Sequence, residues 1–176
     1  MLALTEIVFL AAPFARPEEV AFNRRLAEVV RAYNFPLFMP QEARDELRTG
    51  ELPEQAISVD AVLAPAVSNS TNSDERLAEV CMEALHRANL VISVFFGDDF
   101  DSRTAFEVGY ALGRRINVVA VQNTRISGPE RPERCAPWSG PNLCSRVVVA
   151  PHEEDRFPDR LIPILNRYFE PFKPLR

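Results

Sequence analysis

The sequence predicts an α/β domain built on a doubly wound parallel sheet, with helices covering both faces. Three observations predict it. Short, near-continuous apolar runs such as Ile7-Val8-Phe9-Leu10-Ala11-Ala12 and Leu90-Val91-Ile92-Ser93-Val94-Phe95-Phe96 recur along the chain, which is how strands buried on both faces read. Amphipathic stretches of helical period separate them, as crossovers between parallel strands require. A length of 176 residues, with 47% hydrophobic and 26% charged, suits one globular domain spanning residues 1–176.

The first strand, Ile7 to Ala12, is β-branched and aromatic-rich and closes at Pro13. Pro17-Glu18-Glu19 then opens a helix, with proline early and acids in the first turn. Val20, Leu26, Val29, Val30 and Tyr33 are expected on its inner face, and Arg24, Arg25, Glu28 and Arg31 outside. Phe35 to Met39 reads as a second strand stopped by Pro40. From Gln41 to about Ser73 the chain is polar and proline-punctuated, with weak helical stretches around 42–47 and 53–61; a loop this long is usually functional. A helix follows from Asp74 to about Arg87, then the strong strand Leu90 to Phe96, a helix from about Thr104 to Arg114, and a strand from Ile116 to Val121. Asn123 to Cys144 is a second long loop, before a last strand, Arg146 to Ala150, and a last helix, Phe157 to Tyr168. About five parallel strands in this arrangement suggest the flavodoxin-like form of the doubly wound sheet.

Composition excludes several classes of function. Twenty Lys and Arg against 25 Asp and Glu leave a net charge of −5, which argues against a partner read through its phosphate backbone, so no nucleic acid polymer is expected. No run approaches the roughly 20 apolar residues of a membrane span. The three cysteines, Cys81, Cys135 and Cys144, have no C-x-x-C spacing, and two histidines complete no zinc pattern. No metal site is expected, and a reducing, cytoplasmic compartment is the simplest reading.

Doubly wound sheets bind ligands beyond the carboxyl ends of their strands, at the switch point in strand order. Ala12–Phe14, Pro40–Gln41 and Gly97–Glu107 should meet there. The last of these, Gly97-Asp98-Asp99-Phe100-Asp101-Ser102-Arg103-Thr104-Ala105-Phe106-Glu107, is the most informative stretch of the chain. Three aspartates crowd the exit of a buried strand, and a glutamate sits one turn into the next helix. Near a helix N-terminus Glu107 should stay ionised at neutral pH, and such a carboxylate can attack an electrophilic sugar carbon. Asp101 could orient the substrate. The same residues also fit a purely structural pattern, because Thr104-x-x-Glu107 reads as a capping box and the aspartates as turn residues.

The order from Ala88 to Ala111, strand-Gly-x-x-x-Asp-Ser-x-Thr-Ala-x-Glu-x-Gly-x-Ala, resembles the signature of the nucleoside 2-deoxyribosyltransferase family. Val8-Phe9-Leu10-Ala11-Ala12-Pro13-Phe14 is similar to that family's opening strand and loop, and Phe38-Met39-Pro40-Gln41 to its second strand. Pro141-Asn142-Leu143-Cys144 is similar to a late segment that reaches a neighbouring subunit's site. The resemblance implies transfer of a 2-deoxyribosyl group between nucleobases, with Glu107 as nucleophile and Asp101 as its catalytic partner. It places Phe9, Phe14, Gln41, Asp98 and Asn142 around the substrate. It implies small nucleosides and free bases as partners, a homo-oligomer with shared sites, and no cofactor.

The chain departs from the family pattern at four positions. Phe9 replaces a tyrosine that orients the nucleophile, Asn89 an aspartate, Phe96 an aspartate, and Arg103 a glycine. Asn89 and Phe96 also read as ordinary strand-end or core residues. Arg103, with Arg16, would put positive charge near a 5′-phosphate, or else lie solvated at a helix start. The competing functional readings are an N-glycosidase, in which water replaces the acceptor base, and a non-catalytic nucleotide-sensing module.

Overall fold

The strands lie in the order β2-β1-β3-β4-β5, all parallel, which is the flavodoxin-like order with its switch point between β1 and β3. In this computed structural model residues 7–53, 56–63, 72–96, 101–123, 143–149 and 156–168 are described. The strands are β1 (Val8–Ala11), β2 (Leu37–Phe38), β3 (Leu90–Phe96), β4 (Asn117–Asn123) and β5 (Leu143–Val149). The helices are α1 (Pro17–Ala32), α2 (Pro40–Thr49), α3 (Val59–Leu63), α4 (Ser73–Arg87), α5 (Ser102–Gly113) and α6 (Phe157–Tyr168). Among the described residues no helix is long and apolar enough to cross a membrane.

Side chains alternate across the sheet and feed two cores. Val8 and Leu10 of β1 and Ile92 and Val94 of β3 pack with Phe22, Leu26 and Val30 of α1 and Leu161 and Leu165 of α6. Phe9 and Ala11 of β1 and Val91 of β3 pack on the other face with Val80, Ala84 and Leu85 of α4 and Val108 and Ala111 of α5. Phe96 lies in the first core, edge-on to Phe22 at 5.6 Å. It is therefore a packing residue, and a carboxylate there would be buried without water. Each fully buried aliphatic or aromatic side chain contributes about 1.5–3 kcal/mol, so the faces that position β1 and β3 also supply most of the stability.

Several boundaries and faces differ from expectation. Pro40 does not merely stop β2; it is the first residue of α2, where its missing N–H costs nothing. The helix then runs regularly to Thr49 and closes on Gly50 at φ +74°, the left-handed conformation glycine adopts freely. In α1, Tyr33 is 53% exposed, while Glu19, Asn23 and Arg31 are buried. Each of these polar residues has a partner that local periodicity does not reveal: backbone in the loop after β1, Pro13 O, and Glu42 of α2.

Asn89 has a structural role. Its N–H donates to Ile7 O at 2.9 Å, and its Oδ1 accepts the Ile7 N–H at 3.1 Å. The pair joins β1 to β3 at the amino edge of the sheet. Across the seven residues of β3, the carboxyl edge lies about 20 Å away.

Candidate active site

The loop leaving β1 is held in place by three helices. The Asn23 amide of α1 donates to Pro13 O at 2.7 Å. Glu19 Oε2 accepts the Ala15 and Arg16 N–H groups at 2.9 and 3.0 Å, and Arg16 Nε donates to Glu19 Oε1 at 2.7 Å. From α5, Arg103 Nη2 donates to Ala12 O at 2.6 Å. Arg103 Cζ lies 3.8 Å from the Phe14 ring centroid, and Arg44 Cζ of α2 lies 4.6 Å from it, so two guanidinium groups stack on this half-buried ring. Arg44 stands one turn after Gln41. The segments after β1 and β2 and the start of α5 therefore converge at the switch point, as the sequence predicts.

The start of α5 is set by Asp101, not by Thr104. Asp101 is the N-cap: its Oδ1 accepts the Arg103 and Thr104 N–H groups, both at 3.0 Å, and its Oδ2 accepts the Thr104 hydroxyl at 2.5 Å. This satisfies donors that would otherwise be orphaned at the helix end. The Thr104-x-x-Glu107 capping box does not form. Glu107 instead points inward, 4% exposed, and among the described residues its Oε2 has no hydrogen-bond partner.

Burial pushes the Glu107 carboxyl from its ordinary 4.5 up to about 7; Arg103 opposes the rise and Asp101 adds to it. The expectation of a fully ionised group is corrected, since desolvation outweighs the helix end. Cys81 of α4 lies within electrostatic reach. Burial pushes its thiol up to about 12, with Glu107 adding to the rise and Arg103 opposing it, so this cysteine is a neutral neighbour rather than a thiolate nucleophile.

Gln41 is 1% exposed, and among the described residues neither of its amide atoms has a hydrogen-bond partner. Ser93 of β3, level with Ala11 in the register, is fully buried with its hydroxyl also unpartnered among those residues. Buried polar groups are normally paired. Among the described residues, Glu107 Oε2, the Gln41 amide and the Ser93 hydroxyl are thus buried polar atoms that a ligand at this edge can pair. The signal for Ser93 was available as the one polar residue inside an apolar strand. Arg44, Asn23 and Cys81 carried no local signal, because their importance comes from what tertiary folding sets beside them.

The remaining expected residues divide. Phe9 is fully buried and stacked on Phe38 at 5.6 Å, in the core that β1 shares with α4 and α5. Asp98 and Asn142 lie outside the described residues. Arg16 is paired with Glu19. Arg103 is not a solvated arginine, since its head is bonded to Ala12 O and stacked on Phe14. His86 contacts the Tyr110 hydroxyl at 3.1 Å on the exposed face of α4, away from these groups. Chemically, the carboxyl edge of the sheet offers a buried carboxyl that titrates near 7, a helix start capped by Asp101, a half-buried aromatic ring at Phe14 and the buried amide of Gln41. It suits attack on, or proton exchange with, a small polar ring system.

Comparison with protein families gives one match. The model of the family described as nucleoside 2-deoxyribosyltransferase matches residues 8–133, which include Phe14, Gln41, Asp101 and Glu107. Among solved structures, the chain is similar to the 2-deoxyribosyltransferase of the psychrotolerant bacterium Bacillus psychrosaccharolyticus. Identity is 20% and the TM-score 0.47, over 66% of this chain and 72% of that one. It is also similar to a conserved protein from Enterococcus faecalis V583, at 17% identity and a TM-score of 0.49, over 89% of this chain and 99% of the other. No curated protein matches the sequence. With the family match spanning well over half of its length, the chain belongs to the nucleoside 2-deoxyribosyltransferase family.

Proposed function

We propose that the protein transfers a 2-deoxyribosyl group from one nucleobase to another through a covalent glutamyl-deoxyribosyl intermediate on Glu107. The observation that carries this reading is the buried Glu107 carboxyl at the carboxyl edge of the sheet, whose Oε2 has no partner among the described residues. In its ionised form an oxygen of Glu107 attacks C1′ as the C1′–N bond to the first base breaks, and the departing base takes up a proton. A second base then attacks C1′ through a ring nitrogen, releases the carboxylate and loses its own proton. Two displacements at one carbon preserve the β configuration. Neither step calls for a metal or an organic cofactor.

In this reading Asp101 holds the start of α5 and presents its remaining acceptor capacity to sugar hydroxyls. Phe14 and Gln41 contact the base, whose ring edges can complete the idle Gln41 amide. Asp98, and Asn142 from an adjacent protomer of a homo-oligomer, complete the sugar contacts. The test is product analysis with deoxyinosine or thymidine, with and without free adenine. New deoxyadenosine should form in proportion to the adenine added, and Glu107→Gln and Glu107→Ala should abolish it while keeping the circular dichroism spectrum. Free base released without a new nucleoside would replace transfer by hydrolysis, and full activity in either variant would remove Glu107 from the mechanism.

A further inference from the structure

We propose that Thr104 is a positioning residue that fixes the rotation of the Asp101 carboxylate and so reserves its last acceptor position for one hydroxyl of the sugar. The inference rests on the reading that Asp101 meets the sugar of a bound nucleoside. To that reading it adds the side chain that makes the contact selective.

Three hydrogen bonds converge on Asp101. The Arg103 and Thr104 N–H groups donate to Oδ1, both at 3.0 Å, and the Thr104 hydroxyl donates to Oδ2 at 2.5 Å. The two backbone bonds are enough to cap α5. They hold only one oxygen, however, and the last torsion of an aspartate is soft, so they leave the other oxygen free to rock about that anchor. The Thr104 hydroxyl removes this freedom. Its own side chain is β-branched and stiff at χ1. Thr104 is also fully buried, whereas Asp101 is half-buried. The donor end of the bond is therefore sheltered from water, while the carboxylate stays within reach of a ligand.

A carboxylate offers about four acceptor positions. Among the described residues, donors fill two on Oδ1 and one on Oδ2, which leaves one on Oδ2. An acceptor held in one direction suits a donor at one place, as a sugar hydroxyl is when the base and C1′ are already seated. A site built to pair a hydroxyl rejects the analogue that lacks it. Capping explains the bonds to Oδ1; it does not call for the one to Oδ2.

The test measures dissociation constants by calorimetry in the full-length Glu107→Gln protein, which holds a nucleoside without consuming it. Thr104→Val, which keeps the shape and loses the donor, and Thr104→Ser, which keeps the donor, are each added to it. The ligands are deoxyinosine, 2′,3′-dideoxyinosine and 2′,5′-dideoxyinosine. Thr104→Val should weaken deoxyinosine about tenfold and leave unchanged the analogue that lacks the contacted hydroxyl, while Thr104→Ser stays close to the parent on all three. A merely structural threonine would weaken all three ligands alike or none of them, and either result overturns the proposal. So does a Thr104→Ser protein as weak as Thr104→Val, which would assign the effect to the methyl group. Deoxyinosine that fails to bind even with Thr104 intact would instead refute the nucleoside reading itself and take the proposal with it, so the two failures are distinguishable.

Discussion

Glu107 combines burial with chemistry, and the two make opposite demands. Its carboxyl rises to about 7 in the folded chain from an ordinary 4.5, so the folded state holds this proton more tightly than the unfolded one. The stability associated with the protonated form is fully present below pH 4.5 and is lost as pH rises through about 7. The loss is about 3 kcal/mol at alkaline pH. The proposed attack on C1′ needs the other form, so kcat/KM should climb with pH to a plateau above an acidic limb near 7. Glu107→Gln, which loses turnover in the proposed mechanism, should melt at a higher temperature than wild type at pH 8, by a margin that shrinks toward pH 5. Melts that gave the same margin at both values would show that burial does not oppose the charge. The position of Glu107 was legible from its place after a buried strand. Its protonation was not, because the sixth residue of α5 lies beyond the first turn where a helix end acts strongly, and burial is set by residues distant in sequence.

At the scale of elements, helix existence was easier to read than which polar residues turn inward. Apolar periodicity placed α1, α4, α5 and α6 and the strands β1 and β3 within a few residues. Asp101 displaced Thr104 as the cap because it reaches two backbone N–H groups and the Thr104 hydroxyl together. Arg31 was expected on the outer face of α1 but is buried. It makes a two-pronged pair with Glu42, including Nη1 to Oε1 at 2.8 Å, and its Nη2 also donates to Leu37 O at 3.3 Å. A sequence read one helix at a time cannot reveal a partner on another helix. This pair ties α1 to the end of β2 and the first turn of α2, where Gln41 sits. Glu42→Ala strands a buried guanidinium and should lower stability by about 3 kcal/mol in urea unfolding. Arg31→Met combined with Glu42→Leu should recover most of that loss, leaving no charge to desolvate. A double variant as unstable as the single one would mean that the pair contributes through something other than mutual compensation.

Over the whole molecule, the strand order places β3 between β1 and β4, with a packed core on each face. Amides of Val91 to Val94 should therefore exchange with solvent only through global unfolding. Those of the two-residue edge strand β2 should exchange earlier in a denaturant series, and a reversal of that order would contradict the central role of β3. The parallel sheet was legible because strands buried on both faces carry unbroken apolar runs, whereas the long proline-rich connections leave no periodic trace to read. The Ile7–Asn89 pair at one edge and the Arg103–Ala12 bond at the other act on β1 like clamps at the two ends of a bar. A one-residue insertion between them has nowhere to slide. It must either buckle the strand or turn Phe9 and its neighbours to the opposite face. A change of length in this region is therefore tolerated only outside the clamps, and the height of the Phe14 ring above the sheet becomes a fixed dimension of the protein.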